Sequence, residues 1–301
     1  MLYRSSQSSA QILNIVGSNT FGRYPDISDE QTWNMFISDN WLVPYAGYET
    51  AIDSTEFTAG RGRGFLASAN YDRLVVVIGT GVYLVQIDFN QEKQKVTSHS
   101  ITNIGHLDTD QGIVYIAENN KPQILFSDNH ALYIYDTTLS STIQVVSGID
   151  FIPGYIDFHD THFLCAQQGT SNWRISNPNE GSASTDWPFD SQHVGALQTK
   201  PDQVQAVVRF PSRGNMILVM GKSVTETWFD TGASLFPYQR QNSYNMDYGC
   251  ANPETIATMD QLVVWLAINE KSGPVIMYST GLTPKPITTD GIDYLMSNMQ
   301  N

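Results

Sequence analysis

The chain has 301 residues, a formal net charge of −14 and a low content of charged residues, 15%, against 41% hydrophobic ones. That acidic balance excludes a protein whose main task is gripping nucleic-acid phosphates, which takes clustered lysine and arginine. The two cysteines, Cys165 and Cys250, stand in no CxxC pair and carry no zinc or redox motif. No apolar run approaches the ~20 residues of a membrane-spanning helix, so a soluble chain with no membrane insertion is expected.

Residues 1–59 are heterogeneous. Gln11–Val16 alternates like a strand and Phe21–Pro25 reads as a turn. Ser28 is a good helix cap, yet Thr32–Ile37 is rich in aromatic and β-branched residues that favour a strand. Trp41–Tyr48 is apolar and punctuated by Pro44 and Gly47. This stretch is expected to be an arm or to supply closing strands.

From residue 60 a repeat sets in: a turn, an apolar run, a second turn and an alternating run with aromatics. The copies begin at residues 73, 123, 162, 215 and 261, at intervals of 50, 39, 53 and 46. Those intervals match the ~40–50 residues of a propeller blade. A shorter strand is expected ahead of each copy, at residues 64–67, 112–116, 154–158, 204–210 and 254–257. A fourth strand fits the linkers, as at residues 95–101 and 142–146. The middle strands are continuous apolar runs, as in sheets covered on both faces. The fold expected for residues 60–301 is therefore all-β and β-propeller-like, with a two-sheet sandwich as the alternative.

Several motifs invite chemistry. Asp230-Thr231-Gly232 resembles an aspartic protease loop, but such enzymes need a second carboxylate sharing one proton, and the sequence has no second Asp-Thr-Gly or Asp-Ser-Gly. It reads as a turn after the strand Val224–Phe229. Asp157, His159, Asp160, His162 and Cys165 look like metal ligands, but residues three apart on a strand face opposite ways. The expectation is a hairpin turn with surface histidines. Gly60-Arg61-Gly62-Arg63-Gly64 lacks the lysine of a phosphate-cradling loop, so its arginines are expected to pair with carboxylates. Leu235-Phe236-Pro237-Tyr238, with Arg240, is a candidate interface anchor or, equally, a seal between blades. The candidate interface residues are Arg61, Arg63, Phe236, Pro237, Tyr238 and Arg240. No catalytic, cofactor or metal residues are expected.

The order of several motifs carries a family resemblance. Thr227–Gly232, Phe236–Arg240 and Tyr248–Ala251 resemble the packaged-DNA stabilisation proteins of short-tailed bacteriophages. So do Asn34–Asp39 with Tyr45–Tyr48, and Gly60–Phe65 followed by Val75–Ile78 and Gly81–Tyr83. The resemblance implies a structural virion protein without catalysis, of the tail hub or nozzle kind, assembled in the host cytoplasm as a homo-oligomeric ring. It implies partners in the portal adaptor, a tailspike or fibre and a tail needle, with double-stranded DNA passing transiently. The alternative from another class is a β-propeller hydrolase or glycan-binding module. Family members run beyond a fifth repeat, so the chain is expected to be a fragment or to be closed by its N-terminal segment. The acidic balance further predicts a channel wall that repels the duplex.

Overall fold

The computed structural model describes residues 35–38, 41–44, 50–92, 95–234, 236–271, 273–288 and 290–298. The expected elements at residues 11–16, 21–25 and 45–48, most of the 28–37 stretch, and Leu235 lie outside the described residues. Two compact units emerge, residues 1–49 with 289–301 and residues 50–288. The first contains an antiparallel hairpin, β1 (Met35–Ser38) with β2 (Trp41–Pro44), and a short helix, α1 (Asp290–Ser297).

The second unit is five antiparallel sheets in series, the first four of them simple meanders. Blade 1 is β3 (Gly62–Ser68), β4 (Arg73–Ile78), β5 (Gly81–Asn90) and β6 (Lys95–His106). Blade 2 is β7 (Tyr115–Glu118), β8 (Gln123–Ser127), β9 (Leu132–Asp136) and β10 (Gln144–Val145). Blade 3 is β11 (Pro153–His159), β12 (His162–Gln167), β13 (Asn172–Ile175) and β14 (Val194–Ala196). Blade 4 is β15 (Val204–Arg209), β16 (Met216–Gly221), β17 (Thr225–Asp230) and β18 (Tyr238–Arg240). In blade 5, β19 (Gly249–Cys250) and β20 (Ala257–Met259) both pair with β21 (Leu262–Ile268), followed by β22 (Val275–Ser279) and β23 (Lys285–Pro286).

The expected middle strands and the expected fourth strands are thus present. Two inner strands start later than their sequence implied. The strand expected at residues 112–116 begins at Tyr115, because Gly112 adopts φ +79° and its carbonyl is taken by Arg63. The one expected at 254–257 begins at Ala257, because Asn252 caps a 3-10 turn at Pro253–Thr255 through the Glu254 N–H. Proline fits the first position of that turn and donates nothing to a ladder.

Burial holds the array together. Blades 1 and 2 share a core containing Val75, Val77, Ile124 and Tyr133. Blades 2 and 3 share one around Leu125, Ile134, Phe163 and Trp187. Blades 3 and 4 close over Trp173, Ile217 and Trp228, and blades 4 and 5 over Leu218, Met220 and Trp265. Each large side chain buried in this way stabilises by about 1.5–3 kcal/mol, and no blade can bury both faces by itself. Close approach fixes Gly249: a Cβ there would sit 2.2 Å from the Lys222 carbonyl carbon, so the junction of blades 4 and 5 admits glycine alone.

The hairpin turns at one end of the array are linked hand to hand. Asn70 Nδ2 donates to the Asn119 and Lys121 carbonyls, at 2.9 and 2.8 Å. Asn120 Nδ2 donates to the Asp160 carbonyl at 3.1 Å, His159 Nε2 to the Gly214 carbonyl at 3.0 Å, and Ser212 Oγ to the Thr280 carbonyl at 3.1 Å. Asp72, Asp160 and Asp260 occupy positive φ in the turns of blades 1, 3 and 5, a conformation that aspartate tolerates better than most residues.

Candidate docking surfaces

The six residues singled out from the sequence divide sharply by exposure. Arg61 is exposed and lines an open cleft of about 700 Å³ with Gly60, Asp110, Ile113 and Glu254. Arg63, two residues on, is buried at 5% exposure. Its Nε donates to Gly112 O at 2.7 Å, and Nη1 donates to Gly79 O and Thr109 O at 2.9 and 2.5 Å. Nη2 donates to Thr109 Oγ1 at 2.8 Å and Gln111 O at 2.7 Å. The expected carboxylate pairing is therefore replaced by a cage of neutral oxygens. The guanidinium has five N–H groups in a fixed fork, and the 109–112 connection wraps its carbonyls around that fork. Thr109 Oγ1 in turn donates to Asp128 Oδ2 at 2.6 Å, stitching blade 1 to blade 2.

Phe236, Pro237 and Tyr238 go to the seam between blades 3 and 4. Phe236 is half-buried, with its ring centroid 5.5 Å from Trp173 and 5.9 Å from Tyr238. Pro237 is buried, and its carbonyl accepts from both Thr231 N–H and Thr231 Oγ1, at 2.8 and 2.9 Å. Tyr238 is buried, with its hydroxyl 3.0 Å from His159 Nδ1. Of the two readings weighed for this segment, the blade-sealing one describes its geometry within the chain.

Arg240 is one-fifth exposed and donates from Nη1 to Glu226 Oε1 at 3.2 Å. Glu226 itself is wholly buried and was not singled out from the sequence. Its Oε1 accepts from Gln198 N–H, Thr199 N–H and Thr199 Oγ1, at 2.7, 2.6 and 2.7 Å. Its Oε2 accepts from Trp228 Nε1 at 3.0 Å. The only sequence signal was an acid inside an otherwise buried run, Thr225 to Trp228.

The Asp230-Thr231-Gly232 motif is a turn. Asp230 Oδ1 accepts from the Gly232 N–H at 2.8 Å, and Gly232 sits at φ +64°. The histidine hairpin is also formed, with His159 opposite His162 and Asp160 at φ +55° between them. The surface location expected for His159 is corrected: it is 5% exposed, locked between Tyr238 and the Gly214 carbonyl. Burial lowers its pKa, which keeps the ring neutral with Nε2 carrying the proton. Beside it Asp157 accepts from the Arg209 N–H at 2.9 Å and the Phe158 N–H at 2.7 Å, and burial lifts its pKa to about 6.

Five sequential antiparallel sheets, four of four strands and one of five, packed face to face, define the chain as a β-propeller protein. A model of the phage stabilisation family described as Bacteriophage P22 Gp10, beta-propeller, matches residues 34–301, and the chain belongs to that family. No curated protein matches it by sequence. Among solved structures, the Myceliophteria thermophila Cps50 (Swd1) β-propeller domain is 9% identical with a TM-score of 0.43, over 74% of this chain and 84% of that one. The N-terminal domain of Nup159 is 11% identical with a TM-score of 0.45, over 74% of this chain and 59% of that one. The Dos1 propeller is 13% identical with a TM-score of 0.43, over 72% of this chain and 56% of that one. The chain therefore spans less than two thirds of the last two.

Proposed function

We propose that this protein is a structural subunit of a short phage tail, of the hub or nozzle kind, acting without catalysis. It assembles as a ring around the DNA conduit below the portal adaptor. There it holds the packaged genome and offers docking sites to a tailspike, fibre or needle, with residues 1–59 serving as an arm or as closing strands. The single observation that carries this reading is the family match over residues 34–301. The charge agrees: at −14 the chain suits a wall that duplex DNA slides past rather than one that grips it.

The test is negative-stain imaging of the purified protein mixed with the portal complex of its phage, with a duplex mobility shift at low salt on the same sample. Ring-shaped density at the portal and no submicromolar DNA binding are expected. Absence of any assembly, with specific retention on a glycan array, would replace this reading with a glycan-binding propeller.

A further inference from the structure

Blade 1 differs from the other four in its outer hairpin. The outer strands of blades 2 to 5 are two or three residues long, whereas β6 has twelve. The middle strand β4 pairs with β5 only as far as Leu74↔Val85. Beyond that point Gln86–Asn90 and Lys95–Ser100 continue as a strand pair, from Gln86↔Ser100 to Asn90↔Lys95. A two-stranded ribbon of about 17 Å thus projects past the blade. Two-stranded ribbons gain little stability on their own in water.

The ribbon is two-faced. Gln86 with Ser100 and Asp88 with Ser98 make one face polar. The other carries Val85 with Ile101, Ile87 with His99, and Phe89 with Val96. This row runs from Val85, 1% exposed at the root, to Phe89, 54% exposed near the tip. The middle is pinned by His99 Nε2, 2.8 Å from Glu56 Oε1. Among the described residues, no backbone group of Val96–Asn103 bonds to any backbone but that of β5. Proteins ordinarily blunt such an edge with proline, charge or brevity. Here it is long, lacks proline, and carries two acids against two lysines over residues 86–100, in a chain of net −14.

We infer that the outer edge of β6, with the Ile87–Phe89–Val96 row beside it, is a β-addition site for an extended segment of a different virion polypeptide. The inference rests on the tail-subunit reading above. Main-chain bonds to β6 would give the affinity, and apolar side chains at alternate positions would meet the Phe89 row. A second copy of this chain fits less well. Among the described residues the outer strands of its other blades are too short to match, and β6 against β6 makes a two-fold pair that closes on two copies and cannot run around a ring.

The test is hydrogen exchange on the free protein and on assembled particles, combined with a photo-crosslinking residue at Ser98. Exchange of the Val96–Asn103 amides should slow at least tenfold in particles, while the Gln144–Val145 edge is unchanged. Cross-links should map to one short segment of a single different polypeptide. Phe89→Ser should keep the melting temperature of the free chain and lower its occupancy in particles. Unchanged exchange at β6 in particles that contain the protein, or cross-links confined to a second copy, would overturn the inference and leave the tail reading intact. Failure of the protein to enter particles would instead sink the tail reading, and the inference with it.

Discussion

Blades 4 and 5 are built from nearly interchangeable middle strands, Met216–Gly221 (MILVMG) and Leu262–Ile268 (LVVWLAI), yet the two live in different surroundings. Every residue of β16 is buried. Met216, Leu218 and Met220 enter the core shared with blade 5, and Ile217 and Val219 enter the one shared with blade 3. In β21 burial alternates: Val263, Trp265 and Ala267 are fully buried against blade 4, while Leu262, Val264, Leu266 and Ile268 are only half-buried. A continuous apolar run therefore records a strand's capacity to be covered on both faces. It does not record whether a neighbour is present.

The largest effect expected from this contrast is on stability. Leu218→Ala should cost about 2–5 kcal/mol, because it opens a cavity with packed walls on every side. Leu266→Ala should cost only about 1 kcal/mol in the isolated chain, because solvent already reaches that face. Urea unfolding of the two variants checks this, and equal losses would mean that blade 5 is covered as completely as blade 4.

The sequence was most legible where one physical demand dominates. The five apolar runs and the turns between them follow from burial and from Gly, Asn and Asp chemistry, so blade number and middle-strand positions could be read directly. The fate of individual polar side chains could not. Arg61 and Arg63 look equivalent in Gly-Arg-Gly-Arg-Gly, yet one is exposed and the other is caged by backbone carbonyls from residues 79 and 109–112. Carbonyls leave no trace in side-chain identity. The β5–β6 ribbon was only half legible: a strand was expected at residues 95–101, but Asp88 and Asn90 are poor strand formers, and pairing with Ser98 and Lys95 is what carries β5 on to Asn90.

A smaller effect should separate the seam of blades 3 and 4 from the end blades, through pH. Asp157 has a folded pKa of about 6 against an ordinary 3.8, raised by burial. The fold thus binds this proton more tightly than the unfolded chain does, and Asp157 adds stability as pH falls from about 6 toward 4. His159 has a lowered pKa, also through burial. Its contribution is present above the ordinary value of 6.5 and is lost as pH falls. Asp230, Asp160 and Arg209 face the same histidine, and the first two oppose the lowering. The two buried groups therefore work against each other between pH 7 and 5. In His159→Gln the change in stability over that interval should be more favourable than in the parent, and in Asp157→Asn less favourable, the latter by on the order of 1 kcal/mol. Urea midpoints at the two pH values test this. Identical pH dependence in all three proteins would show that neither group is held as the seam geometry implies.

The smallest effects belong to the outward surface of blade 1, and their smallness is what makes them informative. Phe65 is 65% exposed, and its cross-strand partner Val76 is half-buried. Arg61, four residues earlier in the chain, lines an open cleft without a carboxylate within salt-bridge distance among the described residues. Neither side chain has much to lose on truncation, so Phe65→Ser and Arg61→Ala should each change the stability of the isolated chain by no more than about 0.5 kcal/mol. Exposed aromatics and arginines are nevertheless the residue types enriched at interface anchors, and a large apolar group held in solvent invites a cover. If the end blades are completed by neighbours in the ring, these two variants should reduce assembly onto the portal complex while their melting curves overlay the parent. A truncation of the blade 4 core should show the reverse order, with stability falling first and assembly falling only as a consequence. Variants that melt and assemble like the parent would place the ring contacts elsewhere and leave Phe65 as a solvent-tolerated residue of an uncovered sheet.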